Sequence, residues 1–298
     1  MYPDPDRKRR FGLLDAVLIA LAIGFVGFLW YRVSDVLVYK WNWSVLPRVL
    51  VRQNPETGWW EPNNLLLGFL TTIRLSIWAM VIASLLGTAL GVMASRVRLL
   101  PRLTTSAYVA LIRNIPPLVF LFIFYFFISS QVIPLIGLDA WARTLGPGAA
   151  RIVGIFLGPP ETLENFAAGT ISLAMFEAAY IAVIIRAGIA AVPETQIEAA
   201  KSVGLRPGQV FRLVTFPQAL RAVTPPLANQ FIMLVKDSSI VSLISVQELT
   251  FAGTEIANST MRRFEIYITV AAFYFALCFL LSRLFARMED RARRRSAL

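Results

Sequence analysis

Charged side chains interrupt apolar runs at Arg74, Arg113, Glu177 and the adjacent Lys236 and Asp237, with Ser238 following them. A charge in such a run is costly unless it faces a cavity or a partner, so each is a candidate contact for a polar solute crossing a membrane. Glu177 stands near the middle of its run, too deep to reach a headgroup. Its anion can receive an ammonium group; the alternatives are a structural pairing with Arg74 or Lys236, or a protonated carboxyl. Arg74 can hold a carboxylate through two parallel hydrogen bonds, or simply reach the external headgroups. Arg113 precedes Pro116 and Pro117, which break a helix and can expose backbone carbonyls to a route. If the true span runs from Ile115 to Leu138, Arg113 instead snorkels at the inner interface. A zwitterionic solute needs one cation and one anion at matching depth, which this set offers. Lys236 and Asp237 project about 100° apart on a helix, so they share one cavity only if the helix is interrupted.

A second constellation has the character of a soluble surface. Thr195 and Glu198 have capping-box spacing, which starts a short helix with Ile197, Ala200 and Val203 near one face. Gly204 suits a left-handed stop, Pro207 opens a second short helix bearing Phe211 and Val214, and Pro217 ends it. The expectation is two short helices joined by a tight turn, with small Ala199 and Ala200 admitting a partner's close approach. An exposed apolar face of this kind needs a cover.

Both constellations must be held by membrane-spanning helices. The chain has 298 residues, 57% of them hydrophobic and 16% charged, with a mean hydropathy of +0.63, too apolar for a soluble domain of this length. Six apolar runs approach the ~20 residues that span a bilayer, at about 12–31, 66–93, 108–131, 167–188, 223–247 and 265–283. The first has a basic front, Arg7, Lys8, Arg9 and Arg10, but no small-x-small cleavage site follows it, so it reads as a span and not a cleaved leader. With the N-terminus inside, 18 of the 29 basic residues fall on the cytoplasmic side and eight outside, so both termini are expected to be cytoplasmic. The net charge of +11 follows from this bias and from the anionic inner leaflet, which leaves a nucleic-acid partner without support.

The same composition excludes several chemistries. There is no histidine, which removes the commonest general base and metal ligand; no metal site and no catalytic residue are expected. No G-x-x-x-x-G-K-[ST] loop occurs, so the chain binds no nucleotide in that way, and no cofactor is expected. The lone Cys278 permits no intrachain disulfide. Residues 32–64 read as an external loop whose Trp41, Trp43, Trp59 and Trp60 form an interfacial belt. Residues 131–165, rich in glycine and proline, read as a second, irregular external loop.

The residues at this point resemble a family. Glu198-Ala199-Ala200, three residues, Gly204, and the downstream apolar residues before Pro217 resemble the coupling-loop signature of membrane subunits of bacterial ATP-binding-cassette importers. The flanking text is similar to the polar amino acid permeases: Gly68 to Ser76, then Gly87 and Gly91, Arg113-Asn114-Ile115-Pro116-Pro117 and Ala179-Tyr180-Ile181-Ala182. Pro225 to Phe231 and Lys236-Asp237-Ser238-Ser239 complete the set, which covers roughly residues 64–288. Two departures stand out. The family usually has an acid three positions after the tyrosine of A-Y-x-A, where this chain has Val183, and Phe216 replaces the usual leucine before the coupling-loop proline.

The resemblance implies an all-α integral membrane fold: a five-helix permease core over residues 65–288, including a cytoplasmic coupling hairpin at 193–217. Around it lie an N-terminal span with its Trp-rich loop (1–64) and a basic tail (289–298). It also implies the partners. Two permease subunits, identical or paralogous, form a pathway; cytosolic ATPase subunits grip the coupling helices through Glu198, Ala199, Ala200, Gly204, Phe211 and Pro217; and an extracytoplasmic solute-binding protein delivers an amino acid. ATP binding then rocks the spans between inward-open and outward-open states, and ATP hydrolysis belongs to the partner chain. The rival readings are an ion-coupled secondary transporter or channel working alone, which leaves the Glu198–Pro217 hairpin unexplained, and a membrane enzyme, which lacks a nucleophile constellation.

Overall fold

The computed structural model describes residues 12–32, 39–55, 57–95 and 99–296. Arg7, Lys8, Arg9 and Arg10, and likewise Arg96 and Arg98, on which much of the orientation argument rests, lie outside the described residues. The chain forms two compact units, residues 1–43 and 44–298. The first carries helix α1 (Leu13–Tyr31), whose amide at Gly12 is capped by the Asp15 carboxylate at 2.9 Å. It also carries a stack of Trp41 on Trp43, centroids 5.7 Å apart.

The second unit begins with α2 (Val45–Leu50) and a short antiparallel ribbon, β1 (Val51–Gln53) against β2 (Trp60–Pro62), an addition to the all-helical expectation. Then come α3 (Asn64–Ala94), α4 (Leu99–Asn114), α5 (Pro117–Ile123), α6 (Ser130–Ile136), α7 (Leu138–Arg143), α8 (Pro147–Phe156) and α9 (Leu163–Ala190). The chain continues through α10 (Glu194–Ser202), α11 (Pro207–Val210), α12 (Phe216–Asp237), α13 (Leu249–Thr260) and α14 (Arg263–Ser296). Among the described residues six helical stretches are long and apolar enough to cross a membrane: α1, α3, Pro117–Ile136, Pro160–Ala190, Pro207–Ile244 and Arg263–Arg291.

Helices α3 and α9 form the spine. An ideal Cβ on Gly87 would lie 2.6 Å from Ile181 Cβ, and one on Gly91 2.7 Å from Ile185 Cβ, so only hydrogen fits at either position. In a membrane such small-residue contacts drive helix association, because lipid supplies no hydrophobic penalty to separation. Both pairs share one sequence offset, so α3 and α9 run parallel. Helix α12 packs antiparallel on α9, with Val223 and Ala219 seated on Gly188 and Gln230 opposite Glu177. Leu75, Ala79 and Ala83 of α3, with Leu173, Ala174 and Ile181 of α9 and Leu234 of α12, fill the space between them.

Several expectations from sequence need correction. Residues 131–165 are not irregular: glycine and proline there punctuate helices, Gly137 stopping α6 with φ +70 and Pro147 opening α8 where no amide partner is needed. The third span does not start at 108. It starts at Pro117, and α4 is a separate helix ending at Asn114 before the Ile115-Pro116 break. The fifth span does not wait until 223. A continuous helical rod runs from Pro207 to Ile244, because a wide π turn at Phe211–Thr215 lets the Phe216 amide reach back to the Phe211 carbonyl. Pro217 therefore lies in the first turn of α12, where its missing N–H costs nothing, instead of ending a helix. Helix α13, unforeseen from sequence, is capped by Glu248, whose carboxylate accepts from the Phe251 amide at 2.8 Å.

Candidate functional site

Glu177 is fully buried on α9, fourteen residues after Leu163 and thirteen before Ala190, hence at mid-span. Its Oε2 accepts a hydrogen bond from Gln230 Nε2 of α12 at 2.5 Å. Its Oε1 is buried with no hydrogen-bond partner among the described residues. Asp237, two turns beyond Gln230 on the same face of α12, brings a second carboxyl within interaction range. Asp237 also lines a cavity of about 10 Å³ with Pro117, Phe120, Ser172 and Phe176. No lysine or arginine among the described residues forms an ion pair with either acid. Two carboxyls and an orphaned acceptor call for a cationic donor or a shared proton.

Of the other charged candidates, only Lys236 comes within electrostatic reach of this cluster, through Asp237. Pairing of Glu177 with Arg74 or Lys236 is overturned: its partners are Gln230 and Asp237. By the register of α3 on α9, half-buried Arg74 is level with residue 168, about 13 Å from Glu177 along the axis, and its guanidinium lies near Gly158. Lys236 is exposed and within electrostatic reach of the Cys278 sulfur on α14. Ser238 is buried, and its hydroxyl donates to the Val235 carbonyl at 2.7 Å, so it is spent within its own helix turn. Arg113 is exposed at the end of α4, its guanidinium carbon 5.5 Å from the Tyr180 ring centroid. Ala182, Val183 and Arg186 of α9 share an open cleft with Arg113, and on a helix they project to the side of α9 opposite Glu177. Glu177 and Arg113 therefore do not form the matched pair that a single zwitterion would bridge.

Sequence reasoning missed a second buried acid. Glu248, fully buried, accepts from Tyr274 Oη at 2.6 Å and from Thr72 Oγ1 at 3.3 Å besides capping α13, so one carboxylate ties α3, α13 and α14 together. The signal was present: an acid standing three residues before a free helical amide is a capping position. Gln230 also had a legible signal, lying seven residues before Asp237.

The hairpin after α9 consists of α10 and α11 joined by Gly204, whose φ of +86 is left-handed. Helix α10 starts two residues earlier than the Thr195–Glu198 spacing implies: Pro193 takes the cap position, without a side-chain cap, and Thr195 lies inside the first turn. Ala200 is buried against the chain itself, so it is not open to a partner, whereas Glu198, Ala199, Val203 and Pro217 are exposed. Half-buried Phe211 meets Phe216, centroids 6.0 Å apart, and Gln218 Nε2 donates to Gln196 Oε1 at 2.5 Å, which fastens α10 to the foot of α12.

Comparison with known proteins agrees with this architecture. Residues 87–294 match the family model described as "Binding-protein-dependent transport system inner membrane component". The chain is 36% identical over 215 residues to the probable glutamine ABC transporter permease protein GlnM of Bacillus subtilis (strain 168), covering 72% of this chain and 87% of that protein. It is 33% identical over 195 residues to the arginine ABC transporter permease protein ArtQ of Escherichia coli (strain K12), covering 63% and 78%. A crystal structure of an amino acid ABC transporter with histidines superposes with a TM-score of 0.61 at 33% identity, covering 76% of this chain and 94% of that one. The rod that carries Asp237, the hairpin at its foot and these likenesses lead to one conclusion: the chain belongs to the family of binding-protein-dependent transport system inner membrane components.

Proposed function

We propose that the chain is the non-catalytic permease subunit of an ATP-driven amino acid importer, working with a cytosolic ATP-binding-cassette ATPase, a second permease subunit and an extracytoplasmic solute-binding protein. The observation that carries this reading is the unbroken helical rod Pro207–Ile244. Its foot is part of an exposed hairpin, and its upper turns bring Gln230 and Asp237 to Glu177. A push on the hairpin is thereby delivered to the polar cluster without an intervening loop. A channel or secondary transporter working alone has no use for such a hairpin, and the relatives named glutamine and arginine permeases support an amino acid as solute.

Gly204→Asp tests the docking. Nothing among the described residues lies within 4 Å of an ideal Cβ at Gly204, so the substitution creates no internal clash with them, only left-handed strain and a charge on the exposed turn. Uptake in proteoliposomes and copurification of the ATPase are each expected to fall about tenfold, roughly the effect of 1.4 kcal/mol, with membrane insertion unchanged. Full uptake by the variant would refute docking through this turn.

Both termini are assigned to the cytoplasm on the distribution of lysine and arginine. In a Cys278→Ser background, Ser296→Cys is expected to label only from the cytoplasmic side and Thr57→Cys only from outside. Reversed labelling inverts the topology.

A further inference from the structure

At the end of the bundle that bears the hairpin, α3, α4 and α9 leave an open cleft of about 430 Å³. Thr105, Ser106, Arg113 and Asn114 of α4 line it on one side and Arg186 of α9 on the other, and no acidic residue among the described ones lines it. Among the described residues neither guanidinium has a carboxylate within ion-pair distance. Arg113 is held over the Tyr180 ring, which leaves the edge of its guanidinium free for an oxyanion.

One lining group is left unsatisfied by the fold. Thr105 is only 2% exposed, and its hydroxyl has no hydrogen-bond partner among the described residues. Helical threonines ordinarily turn back to the carbonyl four residues earlier, but the Pro101 carbonyl is already engaged by Thr104 Oγ1 at 3.1 Å. A buried donor facing two unpaired cations points to an anionic acceptor between them.

Depth and surroundings identify its source. Arg186 lies four residues from the end of α9, about 6 Å along the axis, and so sits at interface depth, whereas Arg113, over Tyr180, reaches the cleft from about 9 Å deeper. The cleft faces away from Glu177, which separates it from the polar cluster. Beside it α4 exposes Leu99, Leu100, Leu103 and Leu111, a surface suited to acyl chains. We propose that this cleft binds the phosphate of an anionic phospholipid headgroup from the leaflet on the hairpin side, with Arg113 and Arg186 as its charge partners and Thr105 as a hydrogen-bond donor.

The test uses the full chain, delipidated in detergent, and reads phosphatidylglycerol binding by native mass spectrometry and melting by size-exclusion chromatography. Phosphatidylglycerol is expected to bind and raise the melting temperature, and phosphatidylcholine of the same chain length to do neither. Arg113→Gln combined with Arg186→Gln is expected to weaken phosphatidylglycerol binding at least tenfold, and Thr105→Val several-fold. Should the double variant not purify, the two single variants and Thr105→Val carry the same expectation separately. Equal binding by wild type and variants overturns the proposal. So does a wild-type protein that inorganic phosphate at millimolar concentration stabilises as fully as the lipid, since the site is then one for a soluble anion.

Discussion

Glu177→Gln is expected to lower uptake of an ammonium-bearing solute by about ten- to a hundredfold while leaving assembly and melting temperature nearly unchanged. The amide keeps the shape of the side chain, and its carbonyl still accepts from Gln230, so the contact between α9 and α12 survives. What is lost is the charge beside the orphaned Oε1. A charge-assisted contact in a site excluded from water is worth about 1.5–3 kcal/mol, which sets the size of the effect. The comparison with Asp237→Asn is informative. If the two acids act on one solute, either substitution depresses uptake and the double variant is less than additive, because one contact cannot be lost twice. Normal uptake with reduced stability in both single variants would instead make the pair a structural tie between α9 and α12.

Gly87→Leu should do the reverse and act on the fold before it acts on transport. An ideal Cβ there meets Ile181 Cβ and Cγ2 at 2.6 Å and the Ala178 carbonyl at 2.9 Å, contacts that backbone cannot relieve by a rotamer change. Overpacking typically costs about 1–3 kcal/mol, and here two rigid helices must separate, so the upper end, about 3 kcal/mol, is expected. Folded protein recovered after mild heating should fall steeply, and Ile181→Ala in the same chain should recover part of the loss by reopening the space. A Gly87→Leu variant as heat-resistant as wild type would show that α3 and α9 do not depend on this approach.

Much of this architecture was legible because its signals are local. The runs at 66–93 and 167–188 differ by a few residues from α3 and α9, since unbroken hydropathy marks a span directly. The left-handed stop at Gly204 and the first-turn Pro207 were readable for the same reason. Proline misled in the opposite direction. Pro217 reads as a terminator when only its neighbour's preference is weighed, yet one widened turn upstream absorbs it. Glycine and proline across residues 131–165 likewise mark the ends of helices, and sequence alone does not say whether helix or loop lies between such marks.

The candidate site was half legible. That Glu177 is a candidate followed from the cost of a mid-span acid, whereas its neighbours did not follow, because Gln230 is 53 residues away and is chosen by the packing of α12 on α9. Arg74 and Lys236 looked like partners because they are the right charge, but the register of α3 places Arg74 elsewhere, and exposed Lys236 reaches Asp237 electrostatically without an ion pair to Glu177. Glu248 escaped notice because the apolar run was ended one residue before it.

The parallel register of α3 on α9 has a consequence for biosynthesis. Gly87 and Gly91 each meet a residue 94 positions later, Ile181 and Ile185, so the groove on α3 is complete long before its filler exists. At roughly 5–20 residues per second, the ribosome leaves that groove lined by acyl chains for about 5–20 s. Throughout that interval α3 is an inserted but unassembled span, the form of the protein that a membrane quality-control protease would meet first.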